Sequence, residues 1–335
     1  MPDERNSEAR PRELGGTGLR VSRLGLGLAA LGRPGYINLG HADDLAGQYD
    51  VHAMQARAFR VLDAAFASGV RYFDAARSYG LAEDFLSAWL RQRQLTRADV
   101  TVGSKWGYTY TAEWRTQAPQ HEVKDHSLAN FERQWPQTRE RLGAWLGVYM
   151  VHSVTPDSPV LADPATLERL GALRREGVTV GLSLSGTRQS ETLARALRAR
   201  ARGEAVFSVV QATWNLLEPS AGTALAEAHA DGWGVIVKEA VANGRLTPRG
   251  EEARHPAMRA ACERYGVTPD VIALAGVLAQ PWADVVLSGA TTEAQLASNA
   301  EALRTELDED TLAALARLRM EPETYWASRS RLAWN

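Results

Sequence analysis

VSRLGLGLAALG, residues 21–32, is the stretch on which the choice of fold turns. Its apolar and β-branched residues mark a strand over Val21–Leu28, and glycines crowd the end of that strand. A doubly wound open sheet would carry G-x-G-x-x-G at this point, with a helical pattern directly behind it. Gly25, Gly27 and Gly32 follow a different spacing, and the polar stretch Arg33–Val51 has no helical period. The opening strand therefore belongs to another α/β architecture.

Outward from this strand, seven further apolar runs read as strands: Arg71–Ala75, Val100–Ser104, Gly147–His152, Val178–Ser183, Phe207–Ala212, Gly234–Lys238 and Ala283–Leu287. Between them, apolar residues at three- and four-residue spacing predict helices over Ala53–Ser68, Glu83–Gln92, Ser127–Leu142, Pro164–Glu176, Arg188–Arg200, Gly222–Ala230, Ala257–Tyr265 and Thr268–Leu278, with Thr291–Leu303 after the eighth strand. Gly69, Gly143, Gly177, Gly232 and Gly266 each follow a helix where a left-handed cap suits glycine. Eight strand-helix alternations without a separating linker predict a single (β/α)8 TIM barrel over residues 12–335, with a C-terminal tail from about 319. Residues 1–11, polar and holding two prolines, read as a flexible N-terminal tail.

The composition excludes several classes. Of 335 residues, 45% are hydrophobic and 23% charged, which argues against a disordered or fibrous chain. Lys plus Arg number 38 and Asp plus Glu 40, a net charge of −2 with no basic run, so neither nucleic acid nor an anionic membrane is expected as a partner. Cys262 is the only cysteine, which rules out a disulfide framework or a cysteine metal site and suits a reducing compartment. The N-terminus lacks the apolar core of a signal peptide, and no stretch has the roughly 18 to 20 apolar residues of a membrane span; a cytoplasmic protein is expected. The sequence leaves the oligomeric state open.

In a barrel of this kind, chemistry collects where strands end. The second strand runs into Phe73-Asp74-Ala75-Ala76-Arg77-Ser78-Tyr79-Gly80, the third ends at Ser104-Lys105-Trp106 and the fourth at Val151-His152-Ser153. Taken singly, a strand-end Asp caps a helix, a Tyr packs, a Lys is solvated and a His is a hydrogen-bonded rim residue. Together they form a proton-transfer set. An ammonium beside a phenol favours phenolate and lowers the phenol's pKa, a carboxylate holds that ammonium, and an imidazole orients a carbonyl oxygen, all without a metal.

These motifs, F-D-x-A-x-x-Y-G, the Lys-Trp pair and the apolar-His-Ser strand end, resemble those of the aldo-keto reductase family, and the likeness extends from about Arg12 to about Leu318. The resemblance implies the barrel fold and reduction of aldehydes or ketones, or alcohol oxidation, by hydride transfer from NAD(P)H to a small-molecule carbonyl substrate. It makes Tyr79 the proton donor, Lys105 its pKa-lowering partner, Asp74 the partner of Lys105 and His152 the orienter of the carbonyl. A cofactor-binding regulatory module, or a non-redox lyase or isomerase on the same barrel, are the alternatives.

The resemblance further assigns Ser183 and Gln211 to the nicotinamide carboxamide, although Leu184 replaces the expected Asn. Gly289, Ala290, Thr291, Thr292, Gln295 and Asn299 look like the adenosine-phosphate segment, entering a helix whose N–H groups suit phosphate. Lys238 stands where an aromatic residue usually stacks on the nicotinamide. It is either neutralised by an acid such as Glu239 at the edge of the site, in contact with a cofactor phosphate or substrate anion, or engaged in Schiff-base chemistry. Because Ser288–Asn299 holds Glu293 and no Lys or Arg, NADH is expected to serve at least comparably to NADPH. Trp106, Trp214 and Trp326, with Trp135 and Tyr36, are the expected apolar walls for the substrate, whereas Trp89 and Trp145 read as core. His41, Asp43 and Asp44 read as loop polarity rather than metal ligands, and Arg33–Val51 as a possible lid.

Overall fold

A computed structural model describes residues 11–335, so all of the expected tail except Pro11 lies outside the described residues. Eight parallel strands close into a barrel: β1 Leu24–Gly27, β2 Tyr72–Asp74, β3 Thr101–Trp106, β4 Leu146–Val154, β5 Thr179–Leu184, β6 Val209–Thr213, β7 Gly234–Lys238 and β8 Val285–Ser288. The ring is sealed by β8 against β1, with Val286 opposite Leu24 and Ser288 opposite Leu26. A (β/α)8 TIM barrel is therefore the fold.

Local chemistry explains the outer helices. Asp50, Ser127, Asp163 and Thr292 each cap a helix by accepting a backbone N–H two or three residues ahead. Gly69, Gly177, Gly232 and Gly266 are left-handed as expected, but Gly143 is not. Its φ of −53° continues the helix Leu128–Leu142, because the chain turns directly into β4.

Along each strand, side chains alternate between helix layer and barrel interior. In β7, Val235 and Val237 pack beneath the helices, while Ile236 joins Tyr72, Val148, Met150, Val209, Val285 and Leu287 inside the barrel. The expected first strand, Val21–Leu28, is divided. Arg20–Val21 pairs antiparallel with Arg12–Glu13, and this hairpin carries Leu14 and Val21 under the barrel floor before β1 begins. Two more hairpins had no signal in the apolar period: Arg200–Ala201 with Glu204–Ala205, and Tyr108–Tyr110 with Glu122–Lys124. The second of these follows β3 and overhangs the open end. Past Leu318, a further helix, Pro322–Ser330, packs back toward the same end through Tyr325.

Candidate active site

The interior alternation places the polar set. On β2, Asp74 follows Tyr72 inward; on β3, Lys105 points inward; on β4, His152 follows Met150; on β6, Gln211 follows Val209; and on β7, Lys238 follows Ile236. A cavity of about 570 Å3 at this end is lined by Asp74, Tyr79, His152, Gln211 and Lys238, and continues to Gln295 and Asn299.

Tyr79 lies in the turn after β2. Its position is fixed by backbone: Ala75 N–H donates to Gly103 O, Arg77 N–H to Lys105 O and Leu81 N–H to Gly32 O. The loop after β1 touches this turn so closely that a Cβ at Gly32 would lie 2.3 Å from Tyr79 O, and one at Gly80 2.4 Å from Gly32 O. Only glycine permits that contact.

Lys105 Nζ forms an ion pair with Asp74 Oδ2, donates to Ala75 O at 2.9 Å and reaches the Tyr79 hydroxyl at 3.4 Å. Both members of the ion pair are almost fully buried. Such a pair is tolerated only where remaining lone pairs are satisfied; here Gln211 Nε2 donates to Asp74 Oδ1 at 2.9 Å and the Tyr72 hydroxyl approaches it at 3.4 Å. The Tyr79 hydroxyl also lies 3.3 Å from His152 Nε2, and Ser78 Oγ lies 3.4 Å from His152 Nδ1.

The electrostatics correct one expectation. Burial, followed by the negative charges of Asp74 and Glu122, raises the Tyr79 pKa well above its ordinary value rather than lowering it. Lys105 is tied to Asp74, so its charge does not win. Burial, then Lys105, Lys238 and Arg33, push His152 well below its ordinary value. At neutral pH the pair is a phenol and a neutral imidazole.

Lys238 lines the cavity and has the acid partner expected for it: its Nζ donates to Thr213 Oγ1 at 2.7 Å and lies 3.7 Å from Glu239 Oε1. Burial lowers its pKa to about 8, although Glu239 opposes the shift. Glu239 has a left-handed φ of 58°, uncommon for a residue with a side chain. This bend returns the carboxylate to the cavity, where Arg329 of the last helix grips it, Nε to Oε2 at 2.8 Å. Burial opposes its charge, but Arg329 and Lys238 hold Glu239 down to about 2.

Of the other expected cofactor residues, Gly289, Ala290, Thr291, Gln295 and Asn299 line the far part of the cavity. Thr292 caps the following helix instead. Ser183 is buried behind the wall and accepts from Ser153 N–H at 2.7 Å. Leu184, the replacement for the expected Asn, points into the helix layer and belongs to the core.

The apolar walls are corrected. Trp106 follows inward Lys105, so alternation turns it outward onto Phe131, fully buried. Trp214 packs on Trp282 and donates to Pro219 O; Trp135 packs on Tyr149; Trp326 lies against Tyr325 on the last helix. None of the four lines the cavity. Tyr36 does, together with Glu239, expected only as a partner of Lys238, and residues the sequence reading missed: Arg33, Tyr108, Glu122, Arg329 and Trp334. Arg33 is 2% exposed, pairs with Glu122 at 2.8 Å and lies about 5 Å from the rings of Tyr36, Tyr79 and Trp334. Trp334 stacks on His121 with centroids 4.0 Å apart, and Asn335 is fastened to Tyr36 by two backbone hydrogen bonds. His41 is buried against Tyr36. Among the described residues, no three His, Cys, Asp or Glu side chains gather as metal ligands, and no helix is long and apolar enough to cross a membrane.

Residues 23–319 match the model of the aldo/keto reductase family. Proteins of similar sequence include D-threo-aldose 1-dehydrogenase from a Pseudomonas species, 26% identical with 91% of this chain and 96% of that protein covered. Aldo-keto reductase str7 of Strobilurus tenacellus is also 26% identical, covering 90% of each. Among solved structures, an aldo-keto reductase from Bacillus halodurans in its holo form superposes with a TM-score of 0.68 at 23% identity, covering 93% of this chain and 97% of that one. With the barrel closed, the polar set at its open end and the family match spanning nearly the whole chain, this protein belongs to the aldo-keto reductase family and is an NAD(P)-dependent carbonyl oxidoreductase.

Proposed function

We propose that the protein reduces an aldehyde or ketone with Tyr79 as proton donor, and that it accepts NADH at least as well as NADPH. The observation that carries the first part is the Tyr79 hydroxyl, held between Lys105 Nζ at 3.4 Å and His152 Nε2 at 3.3 Å at the cavity wall. A phenol kept protonated by burial is the acid that reduction needs. A neutral His152 donates a hydrogen bond to the carbonyl oxygen without competing as an acid. As the proton leaves Tyr79, the Lys105 ammonium stabilises the phenolate.

The residues present fit a nicotinamide dinucleotide. The cavity runs unbroken from Tyr79 to Asn299, and Gly289 is so open that a Cβ there would find no atom nearer than 3.9 Å. When bound, a reduced nicotinamide supplies the hydride. Gln211 and Lys238 would face its ring end, and Gly289–Thr291 with Gln295 and Asn299 its adenosine end. The lack of any Lys or Arg in Ser288–Asn299 supports use of NADH, since each charge-assisted bond to a 2′-phosphate is worth roughly 1.5 to 3 kcal/mol.

The test is Tyr79→Phe. Removing only the transferable proton should lower kcat for aldehyde reduction by about 10²- to 10⁴-fold while cofactor affinity stays within about twofold. Near-normal turnover in the variant would remove Tyr79 from the mechanism.

A further inference from the structure

The adenosine end of the cavity contains a carboxylate and a guanidinium that arrive from far along the chain. Asp44, on the short helix His41–Leu45 after β1, is 9% exposed. Its Oδ2 accepts from Arg249 Nη1 at 2.9 Å, Gln295 Nε2 at 2.8 Å and Thr291 Oγ1 at 3.2 Å, and its Oδ1 accepts from Arg249 Nη2 at 2.6 Å. Arg249, in the loop after β7, spends Nη1 on Leu39 O and Gly40 O as well. The guanidinium lies against Gly40, whose φ is 73° and where a Cβ would be 2.6 Å from Nη1. Asp44 and Arg249 both line the cavity beside Thr291 and Gln295.

This arrangement changes the charge arithmetic of the segment. Arg249 is the cation bound to Gln295 and Thr291 through a shared carboxylate, so it is in place for a 2′-phosphate, yet Asp44 already takes both prongs of its fork. A phosphate dianion entering here would have to displace that carboxylate and then lie beside it. A ribose 2′-hydroxyl meets no such cost, and Oδ1, with a single partner, can accept from it.

The geometry points to Asp44 as the residue that selects the cofactor's 2′-group: by occupying Arg249 and presenting its own charge, it favours a 2′-hydroxyl over a 2′-phosphate. This inference rests on the reading that Thr291 and Gln295 receive the adenosine end of a dinucleotide.

The experiment measures dissociation constants of NADH and NADPH for the full chain by calorimetry at fixed salt. Asp44→Asn keeps the shape and removes the charge. It should shift the NADPH-to-NADH affinity ratio toward NADPH by more than about fivefold, and adding Arg249→Ala should reverse most of that shift. A smaller shift, or one that survives loss of Arg249, overturns the proposal. Melting curves establish that the variants fold, and Asp44→Ser serves as a second replacement. If neither dinucleotide binds the unaltered chain, the cofactor reading itself fails; if both bind and Asp44→Asn leaves their ratio unchanged, only the role of Asp44 fails.

Discussion

At the Tyr79 end of the cavity, Asp74, Lys105, His152 and Gln211 all stand on parallel barrel strands, Asp74 and Gln211 in register with a strand on each side, Lys105 opposite Met150 and His152 where the register between β4 and β5 shifts. At the Gln295 end, Asp44 and Arg249 come from loops after β1 and β7, and their ion pair is 205 residues apart in sequence. The first ion pair is almost fully buried; in the second, Arg249 keeps 41% of its side-chain surface. The same kind of bond thus sits in two very different surroundings. Where burial is complete, losing one partner should strand a charge and weaken the scaffold; where one partner is wet, the same loss should cost the fold far less.

The sharpest way to break this comparison is to remove one cation from each end. Lys105→Met leaves Asp74 buried with only Gln211 and Tyr72, and should cost about 3–5 kcal/mol in urea unfolding. Arg249→Met should cost no more than about 1 kcal/mol. Equal losses would show that burial does not separate the two pairs.

Lys238 tests the intermediate case. Its pKa falls from 10.5 to about 8 on folding, so between those pH values the unfolded chain binds more protons and stability rises with pH. The full shift corresponds to about 3 kcal/mol at most. In Lys238→Met this rise should vanish, leaving a flatter stability profile from pH 8 to 10.5. A profile unchanged by the substitution would mean that Lys238 titrates normally.

The smallest effect belongs to the wall. Trp334→Ala removes a stacked ring and the cation–π contact to Arg33, worth about 1 kcal/mol. Steady-state assays should show KM for the carbonyl substrate rising a few fold with kcat little changed. A fall in kcat comparable to that expected of Tyr79→Phe would place Trp334 in the proton-transfer machinery.

The barrel was readable because eight short apolar runs alternate with helical period, and the Asp74–Tyr79 spacing is compact enough to act within one turn. The direction of several side chains was legible in the sequence as well. If Lys105 points inward, Trp106 cannot, and if Ser183 points inward, Leu184 cannot. Glu239 escapes that rule only through its left-handed backbone, which no residue type announces. Arg33, Trp334 and the Asp44–Arg249 pair left no trace in the sequence because their partners lie 89, 213 and 205 residues away: Arg33 with Glu122, Trp334 with His121 and Arg249 with Asp44. Their positions follow from closure of the ring, which a local pattern does not encode. The direction of the Tyr79 shift was missed for the same reason, since Glu122 and the depth of burial are tertiary facts.

The hairpin Tyr108–Tyr110 with Glu122–Lys124 hangs from the barrel between β3 and the helix Leu128–Leu142, and no barrel strand pairs with it. It nevertheless brings Glu122 to Arg33 and sets Tyr108 beside His152, ring centroids 5.0 Å apart. Its tip can be lengthened or shortened without renegotiating the strands that hold Lys105, because the hairpin pairs only within itself. For engineering, the short run 117–120, between the anchors Trp114, which donates to Tyr49 O, and His121, which stacks on Trp334, is accordingly the place to graft diversity while the scaffold is left alone.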